Sequence, residues 1–287
     1  MSGTRLPSWI RVRTTCSPRA AEVQDRLTRE GLNTVCQSAQ CPNRGECYAR
    51  GTATFMVLGA VCTRACAFCA VGSGTPAPID PDEPGRVAKA ARAMCLRHVV
   101  VTSVTRDDLP DGGAGHFAAV IAALRRAMPA ATIEVLTPDF GGKAALVRRV
   151  LTASPDVFNH NLETVRRLQS LIRPAADYAR SLAVLRIAAQ RRPILVVKSG
   201  LMVGLGETDA ELYEAIADLR EVGCCSLTIG QYLAPTRRHL PVARYVSPME
   251  FEGYRRRALA MGFTAVASAP LVRSSYHAEA MLESFEG

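Results

Sequence analysis

The chain has 287 residues, 48% of them hydrophobic, and a formal net charge of +9 from 35 Lys and Arg against 26 Asp and Glu. That size and apolar content suit one large domain or two small ones and exclude a disordered chain. The basic residues are scattered, in pairs such as Arg148 and Arg149 or Arg237 and Arg238, with no aromatic-interleaved stripe, so nucleic acid is disfavoured; the excess suits solubility or an acidic partner.

From the start of the chain, residues 1–13 carry arginines but no apolar h-region, and no run approaches the roughly 18 apolar residues of a membrane span. The ten cysteines are therefore expected to stay reduced in the cytoplasm, where they read as metal ligands or reactive thiols. Residues 1–52 are polar and turn-rich, hold Cys16, Cys36, Cys41 and Cys47, and offer a short helix over 21–30.

From residue 53 the pattern changes. Apolar runs at 54–61, 98–103, 132–136, 156–161, 194–203, 226–233 and 263–267 are rich in Val and Ile and read as buried parallel strands. Helices are predicted between them. Asp80, Pro81 and Glu83 form one start signal. Thr208 with Glu211 forms a capping box, and Ser247, Pro248 and Glu250 repeat it. Phe117, Val120, Ile121 and Leu124 mark one apolar helix face. The alternation predicts an α/β fold, a partial parallel (β/α)6-type TIM barrel spanning 53–268, with a doubly wound open sheet as the alternative. Residues 1–52 form an N-terminal extension, and 269–287 a tail that closes over the barrel mouth.

Two cysteine triplets carry the chemistry. Cys62, Cys66 and Cys69 follow the first barrel strand at spacing C-x3-C-x2-C, with Phe68 before the last cysteine. Cys36, Cys41 and Cys47 are spaced C-x4-C-x5-C. A structural zinc site or a closed iron–sulfur cube takes four protein ligands. Three leave one iron open, and a barrel places such a loop at its active-site end.

The first triplet resembles the signature of the radical S-adenosylmethionine superfamily. That resemblance implies a [4Fe–4S] cluster whose open iron binds S-adenosylmethionine and cleaves it to a 5′-deoxyadenosyl radical. Both triplets in order, with Arg273-Ser274-Ser275-Tyr276, resemble the lipoyl synthase family more narrowly. Further matching stretches lie at 54–59, 101–109, 158–164, 198–207 and 229–233. The resemblance implies that Cys36, Cys41, Cys47 and Ser275 hold a second, auxiliary [4Fe–4S] cluster that is consumed as the sulfur donor. It implies an octanoyl chain on a lysine of a lipoyl-carrier domain as substrate, belonging to a 2-oxoacid dehydrogenase subunit or a glycine cleavage carrier protein. A reducing protein and an iron–sulfur assembly protein are the further expected partners; nucleic acid and membrane are not.

Other residues are expected beside S-adenosylmethionine. Gly204 and Gly206 open a capped helix, where backbone approaches a ligand closely. Asn161 and Glu163 alternate to one side of a strand end, Ser103 ends another strand, and Lys198 stands in the matching stretch before the glycines. Each also has a plain reading, as a cap, turn or solvated side chain. Cys16, Cys95, Cys224 and Cys225 read as buried thiols, and the five histidines as structural. Arg173 and Arg273 read as carboxylate clamps or, more plainly, surface salt bridges. A radical enzyme with another substrate and a non-enzymatic metal module are the alternative functions.

Overall fold

Val and Ile fill the strands because branched side chains pack well on a pleated surface buried on both faces. The computed structural model describes residues 6–11, 17–191 and 195–285. One sheet runs in strict chain order: β1 (Asn33–Thr34), β2 (Thr54–Val57), β3 (His98–Ser103), β4 (Thr132–Leu136), β5 (Val157–Asn159), β6 (Val196–Val203), β7 (Ser226–Gln231) and β8 (Ala265–Ala269). β1 is antiparallel to β2, and every later neighbour is parallel. Helices cover the outer face, so the architecture is a partial (β/α) barrel. Among the described residues its parallel strands number seven, one at each of the seven apolar runs.

The differences from sequence expectation are local. The run at 54–61 pairs only to Val57, because Leu58 (φ 69°) and Gly59 (φ 93°) turn left-handed and send the chain into the cysteine loop. The run at 156–161 shortens to three paired residues. Ile194 and Cys16 lie outside the described residues. The helix expected over 21–30 spans Pro18–Arg29, capped by the Ser17 side chain. The helix expected after Asp80 begins later, as Glu83–Ala93, and the Asp82 cap makes no side-chain hydrogen bond. Both capping boxes form, at the helices Asp209–Glu221 and Pro248–Ala260. Phe117, Val120, Ile121 and Leu124 are all buried. Phe117 meets Phe140 edge-on at 6.2 Å. Cys224 and Cys225 are buried as expected; Cys95 is exposed, at a left-handed position just past a helix end.

Inside the barrel a charged layer crosses neighbouring strands. Glu134 of β4 accepts from Lys198 of β6 (2.9 Å) and Asn159 of β5 (3.1 Å), with His98 Nε2 of β3 at 3.2 Å. Burial pushes the Glu134 carboxyl up, but Lys198 and His98 overcome it and hold it at about 2. Inward side chains of a small barrel fill its interior in layers, and this layer closes the floor. Lys198, expected beside the cofactor, is bonded to Glu134 in this layer.

Candidate active site

The sharp turn at Leu58 and Gly59 delivers Cys62, Cys66 and Cys69 to the carboxyl ends of the strands. A cavity of about 480 Å³ opens there, lined by five cysteines (Cys36, Cys41, Cys62, Cys66 and Cys69) together with Ser275. The cysteine loop is fixed by its backbone. Cys62 N donates to Gly72 O (2.8 Å), Gly74 N to Cys62 O (2.9 Å), and Ala67 N to Ile172 O (2.9 Å). The backbone N–H groups of Arg64 and Thr105 point at Cys62 Sγ, at 3.4 and 3.3 Å.

Arg64, within the triplet, anchors the loop. Its guanidinium grips Asp107 (2.7 and 2.8 Å) and Asp139 (2.8 and 3.0 Å), two fork-to-fork pairs from the loops after β3 and β4. Burial raises the Asp139 carboxyl, and Arg64 more than offsets it, leaving it at about 2.

The second triplet is held by short elements packed beside β2. Thr34 caps the helix Val35–Ser38, which carries Cys36, and Cys47 lies on the helix Arg44–Ala49. Cys41 sits between them, its N–H donating to Cys36 O at 3.1 Å. Burial pushes the Cys36 thiol to about 11, and burial with the nearby Cys36 and Cys41 pushes Cys47 to about 12. Burial also raises Cys66, and holds Cys69 at about 11. Such thiols stay protonated until a cation displaces the protons, so metal binding here is linked to proton release.

The C-terminal segment closes the barrel mouth and packs close against its strands. Two glycines make room. A Cβ at Gly230 of β7 would collide with Val272 O, and one at Gly200 of β6 would press on Asn161 Oδ1 (2.8 Å) and Ser274 Oγ (3.1 Å). Asn43 Nδ2 donates to Leu271 O (2.6 Å), and Tyr276 Oη to Glu46 (3.0 Å), which ties the tail to the second triplet. Thr54 Oγ1 donates to Ser275 Oγ at 2.8 Å, and Ser275 lines the same cavity as Cys36 and Cys41. Ser275 is thus brought to the second triplet.

Asn161 and Glu163 also face the cavity. Asn161 Nδ2 donates to Glu163 Oε1 at 3.0 Å. Glu163 has a left-handed backbone (φ 70°) pinned to β6 by Glu163 N to Gly200 O (2.9 Å) and Met202 N to Glu163 O (2.8 Å). Strain of this kind persists where surrounding structure over-determines it. Burial raises its carboxyl, partly offset by the nearby Arg173. Ser103 lines the wall as well, and its buried hydroxyl has no partner. Gly204 and Gly206 do not line the cavity. Gly204 packs against Gln231 and Arg244 O, and its N–H is taken by Glu207 at 2.7 Å, so this loop is a closed turn.

Several wall residues carried no separable signal in the sequence. Among the described residues, Thr137 Oγ1 and His160 Nε2 are buried in the wall without partners, as is Ser103 Oγ, while His160 Nδ1 is held by Thr137 O at 2.8 Å. His239 Nε2 lies 3.1 Å from Cys69 O. Arg173 and Arg273 line the cavity and form no salt bridge among the described residues. Arg173 donates to Asn161 O (3.1 Å) and Leu162 O (3.2 Å), and Arg273 to Val272 O (2.7 Å).

The donor chemistry fits iron–sulfur clusters and a polar nucleoside-like ligand. Each triplet presents three thiols close enough to shift one another, and among the described residues neither brings a fourth cysteine. Among the described residues no three Cys, His, Asp or Glu side chains converge as a single ion requires; a cube takes each thiolate on its own iron. The three orphaned polar atoms on the opposite wall await a hydrogen-bonding ligand.

The chain is similar in fold to methylornithine synthase, with TM-score 0.54 at 12% identity over 90% of this chain and 84% of that one. It is similar to the maturase of the [FeFe]-hydrogenase, with TM-score 0.57 at 14% identity over 74% and 50%. The family model of the radical S-adenosylmethionine superfamily matches residues 56–219. The chain is a member of that superfamily, whose members use a [4Fe–4S] cluster and S-adenosylmethionine. The lipoyl synthase of Caldanaerobacter subterraneus subsp. tengcongensis is 54% identical, covering 99% of both chains. That of Rubrobacter xylanophilus is 53% identical over 96% of this chain and 86% of its own. That of Nitratidesulfovibrio vulgaris strain Hildenborough is 56% identical over 96% and 92%. Within the superfamily, then, this chain belongs to the lipoyl synthase family.

Proposed function

We propose that the chain inserts two sulfur atoms, at C6 and C8 of an octanoyl group held on a carrier-protein lysine, to form the lipoyl cofactor. The observation that carries this reading is the convergence of the first triplet, Cys36, Cys41 and Ser275 on one cavity, with Cys47 close to Cys36 and Cys41. Cys62, Cys66 and Cys69 would hold one [4Fe–4S] cluster, and Cys36, Cys41, Cys47 and Ser275 a second. When bound, these groups and S-adenosylmethionine supply a radical able to abstract hydrogen from an unactivated C–H bond and, from the second cluster, the sulfur to be inserted.

The chain's own residues do the rest. The Arg64 clamp fixes the first loop. Asn161, Glu163 and Ser103 offer hydrogen bonds on the S-adenosylmethionine side. Met56, Val104, Leu136, Leu201 and Met202 give apolar walls, which suit an alkyl chain and exclude water that would quench a radical. A serine oxygen is a harder ligand than a thiolate and leaves iron more readily, which suits a cluster that must be opened. The division of labour follows the chain: 1–52 with the second triplet, 53–268 as the barrel, and 269–287 as the inserted tail.

Partners follow from the same reading. The octanoylated carrier is a domain of a 2-oxoacid dehydrogenase subunit or a glycine cleavage carrier protein. A reducing protein supplies the electron, and an iron–sulfur assembly protein rebuilds the spent cluster. The thiol set suits the reducing cytoplasm. No helix among the described residues is long and apolar enough to cross a membrane. The test is an anaerobic single turnover of the reconstituted protein with an octanoyl-lysine carrier domain, read by mass spectrometry. A product gaining two sulfurs, and losing two hydrogens once its disulfide closes, supports the assignment. Cleavage of S-adenosylmethionine with no sulfur in any octanoylated product contradicts it.

A further inference from the structure

Adjacent serines of the tail face different halves of the site. Ser275 Oγ accepts from Thr54 on the side of Cys36. Ser274 Oγ accepts from Asn161 Nδ2 at 2.7 Å and lies 3.0 Å from Asn161 Oδ1, so one amide is committed to one hydroxyl. The same Nδ2 also donates to Glu163, which lines the cavity together with Cys66 and Cys69. Hydrogen bonds therefore run from Glu163 through Asn161 to Ser274, and one peptide bond further on Ser275, held by Thr54, lines the cavity that Cys36 and Cys41 also line. Gly200 is what lets Asn161 and Ser274 meet. Asn161, Thr228 and Ser274 occupy the space its side chain would take.

We propose that Ser274 is a positioning residue that couples the two halves: it links occupancy at Asn161 and Glu163 to the seating of Ser275 against the second triplet. This rests on the reading that S-adenosylmethionine binds on the Asn161 side and that Ser275 is the fourth ligand of the second cluster. A group that contacts Asn161 or Glu163 reorients the amide shared with Ser274. One peptide bond away, a shift of Ser274 moves the Ser275 oxygen. Coupling between sites is reciprocal, so a change at Ser275 must be felt in S-adenosylmethionine affinity through Ser274.

The experiment is a double-mutant cycle on the protein loaded with both clusters, reading the S-adenosylmethionine Kd by anaerobic calorimetry, with iron content as the check on assembly. Ser275→Ala should change that Kd by about fivefold or more in the natural background, and by less than about twofold beside Ser274→Ala, where the link is already cut. Ser274→Thr, which keeps the hydroxyl, should restore the dependence. Equal effects of Ser275→Ala in both backgrounds would overturn the proposal. So would a Ser274→Ala chain that cannot fold or hold iron, since the hydroxyl would then be a structural support. Failure of S-adenosylmethionine to bind the unmutated, loaded protein would overturn the functional reading itself, a result separable from the loss of coupling alone.

Discussion

Arg64 and Asp139 meet through two hydrogen bonds of 2.8 and 3.0 Å, joining the cysteine loop after β2 to the loop after β4. The pair is buried, and Arg180 gives Asp139 a further, longer contact at 3.3 Å. A planar fork is what allows one side chain to hold two carboxylates at once, and lysine cannot reproduce it. Arg64→Lys should keep the fold and the iron but lower kcat/KM by about tenfold or more, since small misplacement of a reacting centre is costly. Arg64→Gln leaves Asp139 short of its main counter-charge and should cost about 3 kcal/mol of stability. Urea unfolding and steady-state kinetics on the same preparations distinguish the two effects.

Gly230 admits the tail. Gly230→Ala would place a methyl where Val272 O now sits, and β7 cannot yield because both its neighbours pair with it. The tail should be displaced, with Ser275 withdrawn from the second triplet. Sulfur insertion should fall by at least about tenfold while S-adenosylmethionine cleavage persists, a displacement of the tail being worth more than 1.4 kcal/mol. Limited proteolysis should cut the variant near residue 273 sooner than the parent. Unchanged product yield would show that the tail's position is not needed.

Lys198 separates a structural role from a cofactor role. It is buried against Glu134, and Lys198→Met would strand a carboxylate in the barrel floor at a cost of about 3–5 kcal/mol. S-adenosylmethionine affinity of whatever folds should be unchanged. A weakened Kd with unaltered stability would return Lys198 to the cofactor.

His160 predicts a pH window. Burial, and then the nearby Arg173, lower its pKa to about 4, against an ordinary value of about 6.5. Between those values the unfolded chain holds a proton that the folded chain lacks. Stability must therefore rise with pH across about 4 to 6.5 and level above it. The full contribution is about 3 kcal/mol. Denaturation midpoints of His160→Gln should lose that part of the slope.

Much of the barrel was legible because its strands are continuous apolar runs and its helices announce their starts. β3 and β4 fall at the residues the pattern marks, and both capping boxes form. Ends were less legible. Nothing in Leu58 forbids a longer β2; the turn is imposed by the loop that follows. The positions of Cys36 and Ser275 on one cavity were not in the spacing at all. They depend on two glycines in distant strands that hollow the interior for the tail. Lys198 pairs with Glu134, and a lysine on an inward strand position looks the same in sequence whether it faces a ligand or a buried carboxylate. Arg64, Thr137 and His160 gave no separate signal, since each acquires its role only from side chains contributed by other strands.

In the function proposed above, one cavity would bring together a radical-generating triplet and a separate sulfur source. Its most direct test is a single turnover of Cys36→Ala beside the parent, measuring 5′-deoxyadenosine and lipoyl product from the same anaerobic samples. Cys36→Ala should still form 5′-deoxyadenosine but yield no sulfur-containing product, whereas Cys66→Ala should yield neither. Lipoyl product from Cys36→Ala at the parent's level would contradict it.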